Sequence, residues 1–276
     1  MTIHDWISTA TTRLTTADVS SPHLDAEVLL AHALGQSRTW LIAHQNDNID
    51  DTKVLENASK LLAKRLERVP VAYLTNHKEF YNRSFFVDKR VLIPRPESET
   101  IIELLRPILH DVAATTLNVR LLDVGTGSGC LGITAKLEFP SLSVTACDVS
   151  KEALAVARKN ASLLHADITI VQSDLFTAFS SIEFDIIIAN LPYVDTEWDR
   201  SPETDHEPTL ALFADDKGLE LIKKCMQQSR HILSVGGYLV LEADPEQHES
   251  IAEYATRQNL QFIQSSDYCV VLTRST

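Results

Sequence analysis

The chain has 276 residues, 44% of them hydrophobic and 23% charged, with a formal charge of −13. That length can bury a core and divide into one large and one small domain. The composition excludes several classes: no apolar run approaches the roughly 20 residues that span a bilayer, and the acidic balance opposes a sequence-independent grip on nucleic-acid phosphates.

The start, Met1-Thr2-Ile3-His4-Asp5-Trp6, has no basic stretch followed by an apolar one, so a cytoplasmic protein with no membrane contact is expected. Cys130, Cys147, Cys225 and Cys269 are scattered without a C-x-x-C pair, which suggests buried thiols and neither a metal site nor a disulfide framework. Charge is uneven: residues 1–86 hold 9 Lys+Arg against 10 Asp+Glu, and the remainder 16 against 28. The first part therefore reads as a separate unit.

Its pattern is helical. Leu24, Val28, Leu29, Ala31 and His32 precede Gly35, and Val54, Leu55, Ala58, Leu61, Leu62 and Leu66 follow the cap candidates Asp50 and Asp51. A small bundle over residues 1–75 is expected. Lys60, Lys64, Arg65 and Arg68 recur at helical spacing, as a basic face for a partner or, more simply, as a solvated outer face. Residues 79–87 alternate around an Asn-containing turn and predict a hairpin. Leu92-Ile93-Pro94-Arg95-Pro96 cannot be helix, because each proline fixes its φ and biases the residue before it, so residues 76–96 form a hairpin and a rigid strap. A helix over 97–105 follows, with acids in its first turn.

From residue 119 strands and helices alternate: strands near 119–123, 143–147, 168–172, 184–189 and 237–242, then two closing strands near 261–263 and 269–273. This predicts an α/β domain over 97–276 with a mainly parallel, doubly wound sheet, whose ligands sit at the carboxyl ends of the strands. Leu121-Leu122-Asp123-Val124-Gly125-Thr126-Gly127-Ser128-Gly129 reads as a strand ending at an acid, then a glycine turn into a helix, which is a cofactor loop. Gly127, Gly129 and Gly132 also satisfy G-x-G-x-x-G, a weak signal by itself. Asp148 closes the next strand, where a carboxylate can accept both hydroxyls of a ribose. The fourth strand runs into Asn190-Leu191-Pro192-Tyr193, for which hydride transfer has no use.

With these residues the chain resembles the S-adenosylmethionine-dependent methyltransferases that modify planar amide or amino nitrogens, whose signature is N-x-P-Y after strand four. Within them it is most similar to the glutamine methyltransferases of peptide-chain release factors, through residues 90–99, spelled R-V-L-I-P-R-P-E-S-E. The resemblance runs over essentially the whole chain. It implies a class I, Rossmann-like methyltransferase domain with a seven-stranded sheet behind a small N-terminal helical domain. It further implies methylation of the glutamine in the Gly-Gly-Gln motif of class I release factors, at the side-chain N5, with S-adenosylmethionine as cofactor and the helical domain recognising the protein substrate.

The resemblance places Asn190, Leu191, Pro192 and Tyr193 at the reacting nitrogen: the Asn190 side-chain oxygen and the Leu191 carbonyl accept its N–H groups, Pro192 stiffens the turn and Tyr193 offers a stacking face. It places Asp123, Gly125, Thr126, Gly127, Ser128, Gly129, Asp148, Asp174, Leu175 and Asn190 around the cofactor, with Asp123 near the amino group, Asp148 on the ribose and Asp174 and Leu175 by the adenine. Arg95, Glu97 and Glu99 of the strap receive no catalytic role. The family usually has proline where Leu191 stands, and N-L-P-Y is the form of ribosomal RNA adenine dimethyltransferases; adenine methylation in RNA, another protein glutamine, and a binding module that has lost catalysis are the alternatives. His206-Glu207-Pro208 with Ala211-Leu212 matches a further family element expected to close the pocket, and residues 236–242 match another, before Ala243-Asp244 departs from the usual glycine.

Overall fold

The computed structural model describes residues 1–114, 116–180 and 182–275. Two compact units emerge, Met1–His77 with Arg200–His206, and Lys78–Asp199 with Glu207–Thr276. The hairpin and strap, read from the sequence as a separate stretch, belong almost wholly to the second unit, and seven residues from beyond the fourth large-domain strand belong to the first.

The first unit contains, among the described residues, five α-helices: α1 (Ile3–Thr16), α2 (Pro22–Leu34), α3 (Arg38–Ala43), α4 (Thr52–Leu66) and α5 (Val71–Thr75). Their ends have chemical causes. Thr2 and Asp5 form a reciprocal capping box on α1, Pro22 opens α2, Gly35 ends it at φ +65°, and Asp51 accepts the Lys53 N–H at the start of α4. Asn76 ends α5 in the left-handed conformation, which asparagine tolerates better than most residues. Trp6, Leu14, Leu29, Leu30, Leu41, Ala58 and Leu62 fill the core.

The basic stripe on α4 departs from expectation. Arg65 is only 3% exposed; its Nε donates to Asp25 at 2.6 Å and its Nη2 to Glu203 at 2.8 Å. Arg68 donates to the other Glu203 oxygen at 2.8 Å and to the carbonyls of Ala17 and Asp18. These two arginines are therefore neither solvated nor a free docking face. A buried guanidinium is tolerated only when paired and hydrogen-bonded in this way.

In the second unit β1 (Lys78–Phe80) and β2 (Arg83–Phe85) form the expected hairpin, with Tyr81 and Asn82 both at positive φ as a two-residue primed turn requires. A short turn at Pro96–Ser98 leads into α6 (Glu99–Ala113), which runs beyond the sequence expectation and through Pro107, because Ile108 and Val112 continue its buried face. Then come β3 (Arg120–Val124), α7 (Cys130–Glu138), β4 (Ser143–Asp148), α8 (Lys151–Leu163), β5 (Thr169–Gln172), β6 (Phe184–Ala189), α9 (Glu220–Ser229), β7 (Leu233–Glu242), α10 (His248–Thr256), β8 (Leu260–Ser266) and β9 (Cys269–Arg274).

The seven strands lie in the order β5-β4-β3-β6-β7-β9-β8, parallel except for β9, which runs antiparallel to β7 and β8. Side chains alternate between two cores: Leu122, Ile187 and Leu239 pack with α9 and α10, and Leu121, Ile186, Ile188 and Val240 with α6 and α7. Every residue of β6 is buried, as a central parallel strand demands. The chain winds outward from β3 to β5 on one side and from β6 to β7 on the other, so the winding reverses between β3 and β6. Such a reversal opens a crevice at the carboxyl ends of the two strands. Val124 pairs with Ala189, so the glycine loop and the Asn190 tetrapeptide leave the sheet side by side.

Candidate active site

A cavity of about 340 Å³ lies at this crevice, within the size range of small-molecule sites. Gly125, Thr126, Gly127, Ser128, Asp148, Asp174, Leu175, Asn190, Leu191 and Pro192 face it. Asp123, Gly129 and Tyr193 do not. Each of those three is turned to another task.

Asp123 is fully buried behind the loop. Its Oδ2 accepts the Thr126 hydroxyl at 2.5 Å and the Gly132 N–H at 2.9 Å, tying the loop to the first turn of α7. Its Oδ1 has no hydrogen-bond partner among the described residues. Burial pushes its carboxyl up to about 6, against the pull of those two bonds. Gly129 caps α7, packs against Ile133 and Ala157, and donates its N–H to the Thr126 carbonyl.

Asp148 accepts the N–H of Gly127 at 2.9 Å through Oδ2 and that of Ser150 at 2.9 Å through Oδ1, holding the glycine loop against the end of β4. Burial raises its pKa, partly offset by these main-chain donors. Leu175 faces the cavity at φ +45°, an unusual conformation for a leucine, whereas Phe176 belongs to the core beneath.

At the other end, the Asn190 Nδ2 donates to the Ser98 hydroxyl at 3.1 Å, and Asn190 lines the cavity. Leu191 is 5% exposed, and a Cβ placed on Gly125 would meet its Cδ2 at 2.9 Å. That close approach needs glycine at 125. The Leu191 side chain is therefore packed against the loop as well as facing the cavity, more than the sequence reading assumed.

Tyr193 is partly buried against the core, and its hydroxyl donates to Glu242 at 3.1 Å. Burial, followed by the Glu242 charge, raises its pKa. The Tyr193 carbonyl accepts from Gln247 Nε2 at 2.9 Å, and Gln247 also bonds the carbonyl of Lys217. Gly218, at φ +80°, lies so close that a Cβ there would fall 1.9 Å from the Tyr193 oxygen. Tyr193, expected to offer a stacking face, is thus held through its hydroxyl and its carbonyl and is not among the residues that line the cavity.

The strap forms one wall through Leu92, Pro94, Arg95 and Ser98. Glu207 holds it in place: one oxygen accepts the Ile93 N–H at 3.0 Å and the other Arg95 Nη2 at 2.5 Å. Asp185 lies away from the site, where it accepts from Arg120 N–H and the Ser234 hydroxyl. Sequence reasoning passed over Ser98, Gly218, Gln247 and a role for Glu242. Only Glu242 carried a signal: it is an acid closing a central strand, like Asp123 and Asp148. Among the described residues no cluster of side chains could hold a metal ion, and no helix is long and apolar enough to cross a membrane.

Two family models match, the PrmC N-terminal domain over residues 5–75 and the methyltransferase small domain over residues 104–205. The release factor glutamine methyltransferase of Koribacter versatilis is 37% identical over 265 residues, covering 92% of this chain and 92% of its own. The chain belongs to the release factor glutamine methyltransferase family. The enzyme of that name from Deinococcus radiodurans is likewise 37% identical, over 91% of this chain and 89% of its own. A methyltransferase from Pyrococcus furiosus shares the fold, with a TM-score of 0.53 and 18% identity over 79% of this chain and 100% of the other.

The cofactor of this family is S-adenosylmethionine, and the residues present fit it. A carboxylate at the end of β4 suits a ribose, an unpartnered buried carboxylate oxygen behind the glycine loop suits an ammonium group nearby, and Leu175 and Leu191 give the cavity apolar walls.

Proposed function

We propose that this protein transfers the methyl group of S-adenosylmethionine to the side-chain N5 of the glutamine in the Gly-Gly-Gln motif of a class I release factor. The observation that carries the reading is similarity at 37% identity to release factor glutamine methyltransferases over nine-tenths of both chains. The site chemistry supports it. The lone pair of a carboxamide nitrogen is delocalised into its carbonyl, so the enzyme's task is to orient that nitrogen rather than merely bind the glutamine. Asn190 Oδ1 and the Leu191 carbonyl accept its two N–H bonds and aim the nitrogen at the methyl group. Pro192 limits the movement of the turn. The cofactor supplies an electrophilic methyl on a sulfonium.

On the cofactor side, Asp148 holds the ribose, Asp174 and Leu175 border the adenine, and the main chain from Gly125 to Ser128 passes along the methionine portion. Asp123 acts from behind the loop, by holding it and by its charge. The helical unit, residues 1–75, recognises the release factor, and the reaction belongs to the cytoplasm, where translation ends. The spelling N-L-P-Y favours a second reading, methylation of adenine in RNA. One experiment separates the two: purified protein with labelled cofactor, offered a class I release factor and ribosomal RNA together, followed by mapping of the label. Label on the Gly-Gly-Gln glutamine supports the proposal; label on adenine overturns it.

A further inference from the structure

Behind the tetrapeptide lies a polar cluster that the proposed reaction leaves unused. Glu242 ends β7, and the pairing of Ala189 with Leu241 places it level with Asn190 on the neighbouring strand. It is 1% exposed, one oxygen accepts the Tyr193 hydroxyl, and the other makes no hydrogen bond of ordinary geometry among the described residues. A carboxylate buried this deeply costs stability unless it is paired or hydrogen-bonded. Burial raises the Glu242 pKa, while Tyr193, which donates to it, and the nearby Ser98 and Asn190 side chains pull the other way.

The direction of those interactions decides the orientation of Asn190. Only the Nδ2 group of asparagine carries hydrogens, so only Nδ2 can donate to a carboxylate at 242. That same nitrogen donates to Ser98 Oγ, which leaves the single Ser98 proton free to point at Glu242. With Nδ2 held by Ser98, Oδ1 is turned to the other side of the amide. An uncharged group at 242 could present a donor instead, and the amide could then turn over and offer hydrogens where the substrate needs an acceptor.

We propose that Glu242, with Ser98, is a positioning residue that fixes the Asn190 amide with its oxygen toward the substrate nitrogen and anchors the Tyr193 ring. The inference rests on the proposed glutamine methylation. It assigns to Ser98 and Glu242 a part in turnover and none in cofactor binding. Glu97, Cys130 and Cys269 also lie within electrostatic reach of Glu242, so the test relies on coupling rather than on a pH profile.

The test is single-turnover methyl transfer to a release factor, at saturating cofactor, by wild type, Glu242→Gln, Ser98→Ala, Asn190→Ala and the Asn190→Ala/Glu242→Gln double variant. Glu242→Gln is expected to slow transfer about 10- to 100-fold, the range of an interaction lost from a coupled network, with the KM for release factor and the cofactor affinity little changed. In the double variant the glutamine substitution should add nothing to Asn190→Ala, because its effect passes through Asn190. Ser98→Ala should show the same pattern more weakly, and serves if Glu242→Gln fails to fold. A wild type that leaves the release factor unmethylated would remove the proposed function itself. An active wild type with full-rate Glu242→Gln and Ser98→Ala, or with effects that multiply in the double variant, overturns the positioning role alone.

Discussion

The loop after β3 and the tetrapeptide after β6 leave paired residues of neighbouring strands, yet they are held by different kinds of contact. The loop is held mainly by its own neighbourhood: Thr126 and Gly132 bond Asp123 at sequence separations of 3 and 9, and Gly127 bonds Asp148 at 21. The tetrapeptide is held from afar. Ser98 reaches Asn190 across 92 residues, Glu242 reaches Tyr193 across 49, and Gln247 reaches the Tyr193 carbonyl across 54. The glycine loop is thus held within one β-α-β unit, and the tetrapeptide by residues from the turn before α6, the end of β7 and the turn before α10. Damage at either end should therefore have separable consequences.

The largest effect is expected from Asn190→Ala. It removes the acceptor proposed for the reacting nitrogen, and loss of one preorganised contact of this kind costs roughly 100- to 1000-fold in rate. Rapid-quench methyl transfer to a release factor measures it; a rate near wild type would mean that the tetrapeptide does not hold the substrate. Next is Gly218→Ala, where the new methyl would strike the Tyr193 carbonyl and the left-handed backbone would add strain. We expect a loss of at least about 2 kcal/mol in stability, read as a lower Tm, together with reduced turnover. Unchanged melting and turnover would deny that Gly218 and Gln247 set the tetrapeptide's path.

A smaller effect concerns pH. Because burial raises the Asp123 carboxyl from 3.8 to about 6, the cofactor-free protein should lose stability from this group as pH rises from about 4 to above 6. A cationic cofactor reverses the preference, since it favours the carboxylate. Affinity for S-adenosylmethionine should then be full above about pH 6 and fall as pH drops below it, by at most about tenfold per unit, while Asp123→Asn removes that part of the slope. Equal slopes in titrations of the two proteins would contradict the role given to Asp123. Smallest is Leu191→Pro: proline keeps the carbonyl acceptor, and the packing lost against Gly125 is worth about 1 kcal/mol. Turnover should stay within about fivefold of wild type, and a dead variant would mean that the Leu191 side chain itself shapes the substrate site.

The same contrast explains what the sequence made legible. The glycine loop, Asp148 and the strands that deliver them could be read from neighbouring residues, because their bonds close within a few turns of chain. The hairpin was legible for the same reason, and so were the caps of α2 and α4. Ser98, Gln247 and Gly218 were not, since their meaning comes from elements brought together only by the sheet order. Tyr193 was read as a stacking face, and its bonds to Glu242 and Gln247, 49 and 54 residues away, were not visible in the pattern. Arg65 and Arg68 looked like a surface stripe, for their partners Asp25 and Glu203 lie 40 and 135 residues away. Even α1 carried its capping box, Thr2 with Asp5, although the reading began the bundle's pattern at Leu24.

The separation of the two ends is tested most directly by calorimetric titration of S-adenosylmethionine into Asp148→Ala and Asn190→Ala, side by side with wild type. Asp148→Ala removes the proposed ribose acceptor and should weaken binding by about 1 to 3 kcal/mol. Asn190→Ala keeps the main chain at the end of β6 and should bind within a few-fold of wild type despite its lost turnover. Equal weakening in both variants would contradict the account, because it would make the tetrapeptide side chain part of the cofactor site rather than the holder of the substrate nitrogen.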